Sequence, residues 1–123
     1  MKEIQKIVLK DKLSLFTEHW SPKIIAELNG QQVKVAKLKG EFVWHKHDEE
    51  DELFLVLKGK LKIELRDRVI DLNEGEFVVI PRGIEHKPVA SIEVEVLLFE
   101  PKSTLNTGNQ KDSDFTKSSL DSI

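Results

Sequence analysis

Apolar and polar residues alternate along most of the chain between residues 23 and 101, in short runs that are separated by residues typical of turns. This alternation is typical of β-strands with one buried face, because successive side chains of a strand point to opposite sides. The runs that we interpret as strands are residues 23–28, 31–40, 41–47, 53–57, 61–65, 68–72, 76–80 and 91–100. About eight to ten short strands with almost no helix indicate an all-β sandwich or barrel.

Turn residues between these runs predict how the strands connect. Asn29 and Gly30 both tolerate the positive φ of a two-residue hairpin turn, and Gly59 separates two further apolar runs. Pro81 ends the run before it, because proline cannot donate to a strand ladder. We therefore expect neighbouring runs to pair as antiparallel hairpins.

The two ends of the chain differ from the strand region. Residues 1–22 form an N-terminal arm, in which Leu13–Trp20 is predicted to be a short helix that ends before Pro22. Residues 23–101 form the predicted barrel. Residues 102–123 are a polar C-terminal extension with little core of its own, and its large apolar residues are Leu105, Phe115, Leu120 and Ile123.

Composition restricts the class of protein. A chain of 123 residues with 39% hydrophobic residues fits one domain. The net charge is −3 and the lysines are scattered, which argues against nucleic acid as a partner. The chain has no cysteine, and no segment approaches the roughly 20 apolar residues of a membrane helix. We expect a cytoplasmic protein without a membrane or nucleic-acid partner.

His45 and His47 are the first candidates for chemistry. In a strand they point to the same side with Cα atoms about 6.5–7 Å apart, a spacing from which two imidazoles can bind one cation. Glu52 follows after a short turn and shares a face with Phe54 and Val56. A carboxylate in such an apolar interior needs a partner, and a cation is one. Taken alone, however, the pair of histidines is more typical of an exposed strand than of a metal site.

A second block changes this interpretation. Residues 45–59 read His-x-His-x4-Glu-x6-Gly, and residues 75–86 read Gly-x5-Pro-x-Gly-x2-His. The two blocks resemble the two signature motifs of the cupin superfamily, which are double-stranded β-helix barrels of the jelly-roll type. The likeness covers about residues 40–90, and the flanking strand pattern extends it to about residues 24–100. The chain also resembles the short single-domain cupins that are often called mannose-6-phosphate isomerase-like.

The resemblance implies a metal site. In cupins, the equivalents of the following residues bind one divalent metal: His45, His47, Glu52 and His86. Manganese, iron, nickel, cobalt and zinc all suit three imidazoles and a carboxylate. The chain departs from the family pattern at two positions. Four residues, instead of the usual five, lie between Gly40 and the first histidine, and Ala90 stands where asparagine is frequent.

The remaining candidates have weaker signals. His19 lies outside both motifs and receives no metal role, and Trp44 is assigned to core or interface packing. Arg82 and Lys87 flank the loop before the third histidine, where they are either solvated or meet an anionic ligand.

Two classes of function stay open at this point. The first is a metalloenzyme that acts on a small polar metabolite, such as a sugar or sugar phosphate, with Glu52 among the available bases. The second is a non-catalytic cupin that binds a metal or small ligand as a sensor or storage protein. Isomerase, lyase, hydrolase and dioxygenase chemistry are all compatible with open positions on the metal.

The outer face of the predicted sheet indicates a homodimer. Leu53, Leu55 and Leu57 point away from the barrel interior, as do Leu97 and Phe99. Because monomers rarely expose large contiguous apolar patches, something has to cover this face. We expect the N-terminal arm and a second copy of the chain, related by a two-fold axis, to cover it together. The alternative is that the N-terminal arm covers it alone.

Overall fold

The computed structural model describes residues 3–123, which form one short helix and a sheet of seven antiparallel strands. The helix α1 spans Leu9–Leu13. The strands are β1 (Lys23–Leu28), β2 (Gln31–Glu41), β3 (Glu52–Lys58), β4 (Leu61–Leu65), β5 (Val69–Leu72), β6 (Phe77–Ile80) and β7 (His86–Pro101). The predicted all-β class is confirmed. Within the described residues, no helix is both long and apolar enough to cross a membrane.

The long strand β7 organises the barrel. Its first half pairs with β4, where His86 lies opposite Leu65, and its second half lies between β2 and β3 in the order β1-β2-β7-β3-β6. The strand β5 pairs with β4 at the other end of the sheet. One strand that contributes to both halves of the sheet folds it into a jelly roll and brings β2, β3 and β7 around one interior.

The interior is apolar because alternate residues of these strands face it. In β3 the buried residues are Glu52, Phe54 and Val56, as the two-residue period predicts, and Leu53, Leu55 and Leu57 are only half-buried. The barrel core consists of Trp20, Ala36, Leu38, Phe42, Phe54, Val56, Leu61, Ile63, Leu72, Ile80, Ala90, Val94, Val96 and Leu98. Burial of each large side chain stabilises the fold by about 1.5–3 kcal/mol.

Two predictions of local structure are wrong. The helix ends at Leu13 and does not continue to Trp20, because Trp20 has a φ of 57° and His19 forms a bridge with Lys37 of β2. The predicted strand from residue 41 to residue 47 also fails, since β2 ends at Glu41 and the next residues form only an isolated bridge at His45. The number of strands, seven among the described residues, is accordingly lower than the eight to ten predicted.

The N-terminal arm packs on the outer face of the sheet. Leu13 and Phe16 form a second apolar cluster with Val35, and Leu57 and Ile25 pack against it. The ammonium of Lys37 lies 5.0 Å from the centre of the Phe16 ring and donates a hydrogen bond to the Phe16 carbonyl at 2.7 Å. The arm therefore covers part of the apolar outer face, which the sequence pattern predicted to be covered.

The C-terminal segment, residues 102–123, also packs on the barrel. The Phe115 ring packs at a tilt against Phe42 and Trp20, with ring centres 5.2 and 6.0 Å apart, and Thr107 is fully buried. At its end, Ile123 donates a backbone hydrogen bond to Ile24 of β1. Tertiary contacts thus compensate for the few apolar residues of this segment.

Candidate metal site

Four side chains that the sequence motifs singled out meet inside the barrel. Glu52 is the first residue of β3, His86 is the first residue of β7, and His45 and His47 lie in the irregular stretch after β2. Backbone hydrogen bonds fix this stretch, because His45 and His86 exchange N–H to carbonyl bonds of 3.0 and 2.9 Å. The Gly83 N–H donates to the His47 carbonyl at 2.8 Å, which ties the Pro81 turn to the same place.

The four side chains form one compact and buried cluster. Each offers one ligand atom, and these atoms all lie within 4.8 Å of one another. The exposed fraction is at most 4% for every member of the cluster. The Nε2 atoms of His47 and His86 each lie 3.3 Å from Oε1 of Glu52.

Hydrogen bonds set the direction in which two of the imidazoles can bind. Nδ1 of His45 lies 2.9 Å from the Val43 carbonyl, and Nδ1 of His86 lies 2.9 Å from the Ile84 carbonyl. A carbonyl only accepts, so both Nδ1 atoms carry a hydrogen, which leaves both Nε2 atoms to face the cluster. Nε2 of His86 lies 3.3 Å from Oε1 of Glu52. Orientation of a ligand histidine through its other nitrogen is a general feature of metal sites.

The donor set fits a metal cation. Neither ring nitrogen of His47 has a hydrogen-bond partner within residues 3–123, although Nε2 lies 3.3 Å from Oε1 of Glu52. Buried polar atoms without partners are rare in native proteins. Three imidazoles and one carboxylate around a common point are ligands for a divalent first-row metal.

The pKa values favour the forms that bind a cation. Burial is the main cause that lowers the pKa of His45 to about 4, and the neighbouring His86 lowers it further. Burial raises the pKa of Glu52, but the contacts with His47 and His86 together outweigh burial, so that this pKa lies well below its ordinary value. At neutral pH, His45 is therefore neutral and Glu52 is ionised.

A buried lysine–glutamate pair next to the cluster was not predicted from the sequence. Nζ of Lys34 donates to Oε1 of Glu100 at 2.9 Å, and both side chains are 2% exposed. Burial, followed by the charge of Glu52, raises the pKa of Glu100 well above its ordinary value, although Lys34 opposes this shift. The sequence contained a signal, because Lys34 is in phase with Leu38, and Glu100 with Leu98, on the inward faces of β2 and β7.

A narrow cavity adjoins the site. A space of about 30 Å³ is lined by His45, Glu52 and Glu100, together with Asn106 and apolar residues. A volume of this size holds about two water molecules.

The C-terminal segment closes one side of the site. Asn109 and the backbone of Lys46 exchange hydrogen bonds of 3.0 and 2.9 Å. Gly108 has a φ of 54°, and a Cβ atom at this position would lie 2.1 Å from the Lys46 carbonyl oxygen and 3.2 Å from the His45 ring. Only glycine allows the segment to approach the histidine pair this closely.

The other residues considered from the sequence lie outside the cluster. His19 is paired with Glu93 at 2.6 Å on the surface. Trp44 is half-buried under the guanidinium of Arg66, which lies 3.8 Å from the ring centre. Arg82 pairs with Asp51, and Lys87 pairs with Glu41 and Glu64, so both cations are neutralised at the surface.

A jelly-roll barrel with an inward cluster of three histidines and one glutamate defines a cupin fold with a candidate metal site. Comparison with known families agrees with this class. Residues 31–100 match the family described as "Cupin domain", which is more than half of the chain. The chain belongs to the cupin family.

Three similar proteins, two of them solved structures with this fold, are described without an activity. A cupin-2 domain containing protein from Shewanella frigidimarina is 51% identical, with a TM-score of 0.77 over 78% of this chain and 94% of that chain. Protein NMB1881 from Neisseria meningitidis is 29% identical, with a TM-score of 0.73 over 80% of this chain and 100% of that chain. The uncharacterized protein YdbB from Bacillus subtilis is 35% identical over 79 residues, 63% of this chain and 70% of its own length.

Proposed function

We propose that the protein binds one divalent metal ion through His45, His47, Glu52 and His86, and uses it to bind and convert a small molecule in the adjoining cavity. The observation that carries this proposal is the buried cluster itself, with four ligand atoms within 4.8 Å of one another. A bound divalent cation supplies Lewis-acid polarisation of a ligand oxygen, or a lowered pKa of a bound water.

Two classes of activity fit such a site. The first class is a metalloenzyme. The example that the sequence resemblance suggests is an isomerase acting on a sugar or sugar phosphate. A non-catalytic cupin that senses or stores a ligand or metal is the second. The cavity supports the first, because Glu100 and Asn106 line it in addition to the metal ligands. Convergent polar groups in an apolar pocket are typical of sites that bind and orient a substrate.

Metal binding is tested with the purified protein freed of metal by a chelator. We expect it to bind one equivalent of manganese, iron(II), cobalt, nickel or zinc per chain, measured by elemental analysis after gel filtration. Binding of none of these ions would contradict the proposal. The metal-loaded protein is then screened against small hydroxy and keto compounds and sugar phosphates. Turnover of any of these compounds would show an enzyme, and binding without turnover would favour the non-catalytic class.

A homodimer is part of the proposal. On the outer face of the sheet, Leu53 lies between Phe99 and Val79 of the neighbouring strands, and Leu55 lies next to Phe77. The side chains of Phe77 and Val79 are 62% and 48% exposed on the edge strand β6. The N-terminal arm packs near Val35 and Leu57 and so leaves this part of the face open. A second copy packed on this part of the face would cover it.

Light scattering at micromolar concentration checks the dimer. We expect twice the chain mass of 14.1 kDa. Phe77→Lys should weaken the dimer by about 30-fold or more, as loss of a central apolar contact does. Ile92→Lys is the control, because Ile92 is 79% exposed outside this part of the face. A wild-type mass of one chain would rule out the dimer.

A further inference from the structure

The cavity contains a carboxyl group that the four metal ligands do not include. Glu100 on β7 is held by Lys34 on β2, with 2.9 Å between Nζ and Oε1. The carboxyl group of Glu100 also lies against that of Glu52, and within residues 3–123 no donor reaches its second oxygen, Oε2, although this atom is buried. Buried polar atoms in native proteins nearly always have a partner, so an oxygen that is left over in the wall of a cavity points to a ligand.

The rest of the wall indicates what kind of ligand fits. Apart from the groups of the candidate metal site and Glu100, the cavity is lined by Asn106 and by apolar side chains, among them Trp20, Phe42 and Phe54. No lysine or arginine of the described chain lines it. An anionic group beyond the metal would therefore lack the cationic side chains that usually bind phosphate or carboxylate.

We propose that Oε2 of Glu100 accepts a hydrogen bond from the ligand, and that the ligand is a small, uncharged hydroxy compound with an apolar body. Oε2 keeps a lone pair that can accept a hydrogen bond in either form of the carboxyl group, although in the protonated form it also carries the hydrogen, because Oε1 accepts from Lys34. The aromatic walls bury the hydrocarbon part of such a ligand. A space of about 30 Å³ restricts the ligand to a few atoms unless the wall moves. Sugar phosphates are disfavoured by the same features.

The inference rests on the proposed function, since the ligand is expected beside a bound cation. Two probes of equal size isolate the effect of the hydroxyl group on binding. The first is hydroxyacetone, and the second is 2-butanone, in which a methyl group replaces the hydroxyl. Their dissociation constants for the manganese-loaded protein are measured from the broadening of their NMR signals. We expect the wild type to prefer hydroxyacetone by about tenfold, the usual effect of one hydrogen bond to a buried group.

The decisive variant combines Lys34→Met with Glu100→Leu, so that no buried charge is left without its partner. We expect the preference to fall to about one while manganese content stays at the wild-type value. The matched control is Lys87→Met with Glu41→Leu, which removes another lysine–glutamate pair, 2.6 Å apart, outside the cavity. A tenfold preference that survives in the first double variant, or a wild type without preference, would overturn the proposal.

Further measurements separate this inference from misfolding and from failure of the metal site. If circular dichroism shows that the first double variant does not fold, Glu100→Gln is measured instead. Its shape is conserved but an NH₂ group replaces the acceptor, and the preference should fall at least about threefold. An unchanged ratio in this variant overturns the proposal. If the wild type binds no manganese, the proposed function fails. The ratio of the dissociation constants of the two probes for the metal-free protein then tests whether Glu100 accepts a hydrogen bond from the ligand.

Discussion

Simultaneous replacement of His45 and His86 by alanine is expected to weaken the binding of a divalent cation by at least about a thousandfold, because changes that only disturb the orientation of metal ligands already cost roughly 10–100-fold. The two imidazoles come from different parts of the chain and meet through a backbone bridge, with ring centres 4.3 Å apart. Titration of the metal-free variant, in competition with a coloured chelator, gives the affinity directly.

A matched variant shows whether the loss is specific. His19→Ala removes a histidine that pairs with Glu93 on the surface, so its metal affinity should equal that of the wild type. Glutamine at His45 and His86 is a second pair of replacements that fills more of the buried volume if the alanine variant is unstable. A folded double variant that still binds one cation with wild-type affinity would show that these histidines are not ligands.

Removal of the metal is expected to lower the free energy of unfolding by about 4 kcal/mol, relative to protein with free cation at roughly 1,000 times its dissociation constant. For a chain of this size, the melting temperature should fall by about 10–20 °C. The reason is that the cluster exists only in the folded state, so the cation binds the folded state alone. Thermal unfolding before and after addition of a chelator measures the difference. An unchanged melting temperature in protein shown to contain metal would contradict the prediction.

The metal-free protein should also lose stability in mild acid. His45 has its pKa lowered from 6.5 to about 4, mainly by burial, so the unfolded chain takes up a proton in this range before the folded chain does. The contribution of His45 to stability is therefore complete above pH 6.5 and declines as the pH falls towards 4, by about 3 kcal/mol in total.

Glu100 acts in the opposite direction. Burial and the charge of Glu52 raise the pKa of Glu100, so the folded state binds this proton at a pH where the unfolded chain does not. The effect of His45 is therefore measured as a difference between the wild type and His45→Gln, each unfolded by urea at several pH values. We expect the variant to show the weaker decline between pH 6.5 and 4, and equal slopes would contradict the assignment.

Much of the site could be predicted because the motifs lie in short segments with regular alternation. In β3, the two-residue period places Glu52 inside with Phe54 and Val56, as the structure confirms. The turn at Asn29 and Gly30 has the positive φ angles, 49° and 78°, that these residue types predict. The four histidine and glutamate positions meet as the resemblance to cupins implied, and their role as metal ligands stays a prediction.

The same reasoning failed where a distant partner decides the local structure. His45 and His47 point inwards although residues 42–47 are not a strand, because the backbone bonds of His45 go to His86 and the carbonyl of His47 binds Gly83. The helix predicted near Trp20 is replaced by a bridge to β2. Local propensity is a weak preference that long-range hydrogen bonds and packing override.

The amino-acid sequence alone determined the all-β class, the strand phases and the four residues of the candidate metal site, because alternation and motif spacing are local properties of the chain. Only the tertiary structure revealed that Lys34 and Glu100 form a buried pair beside that site, and that Gly108 and Asn109 seal it. Lys34 and Glu100 are separated by 66 positions, and a charged residue in an inward phase reveals neither its partner nor the cavity that they share. That pairing depends on the register of β2 against β7, which hydrogen bonds between distant strands establish only when the barrel closes.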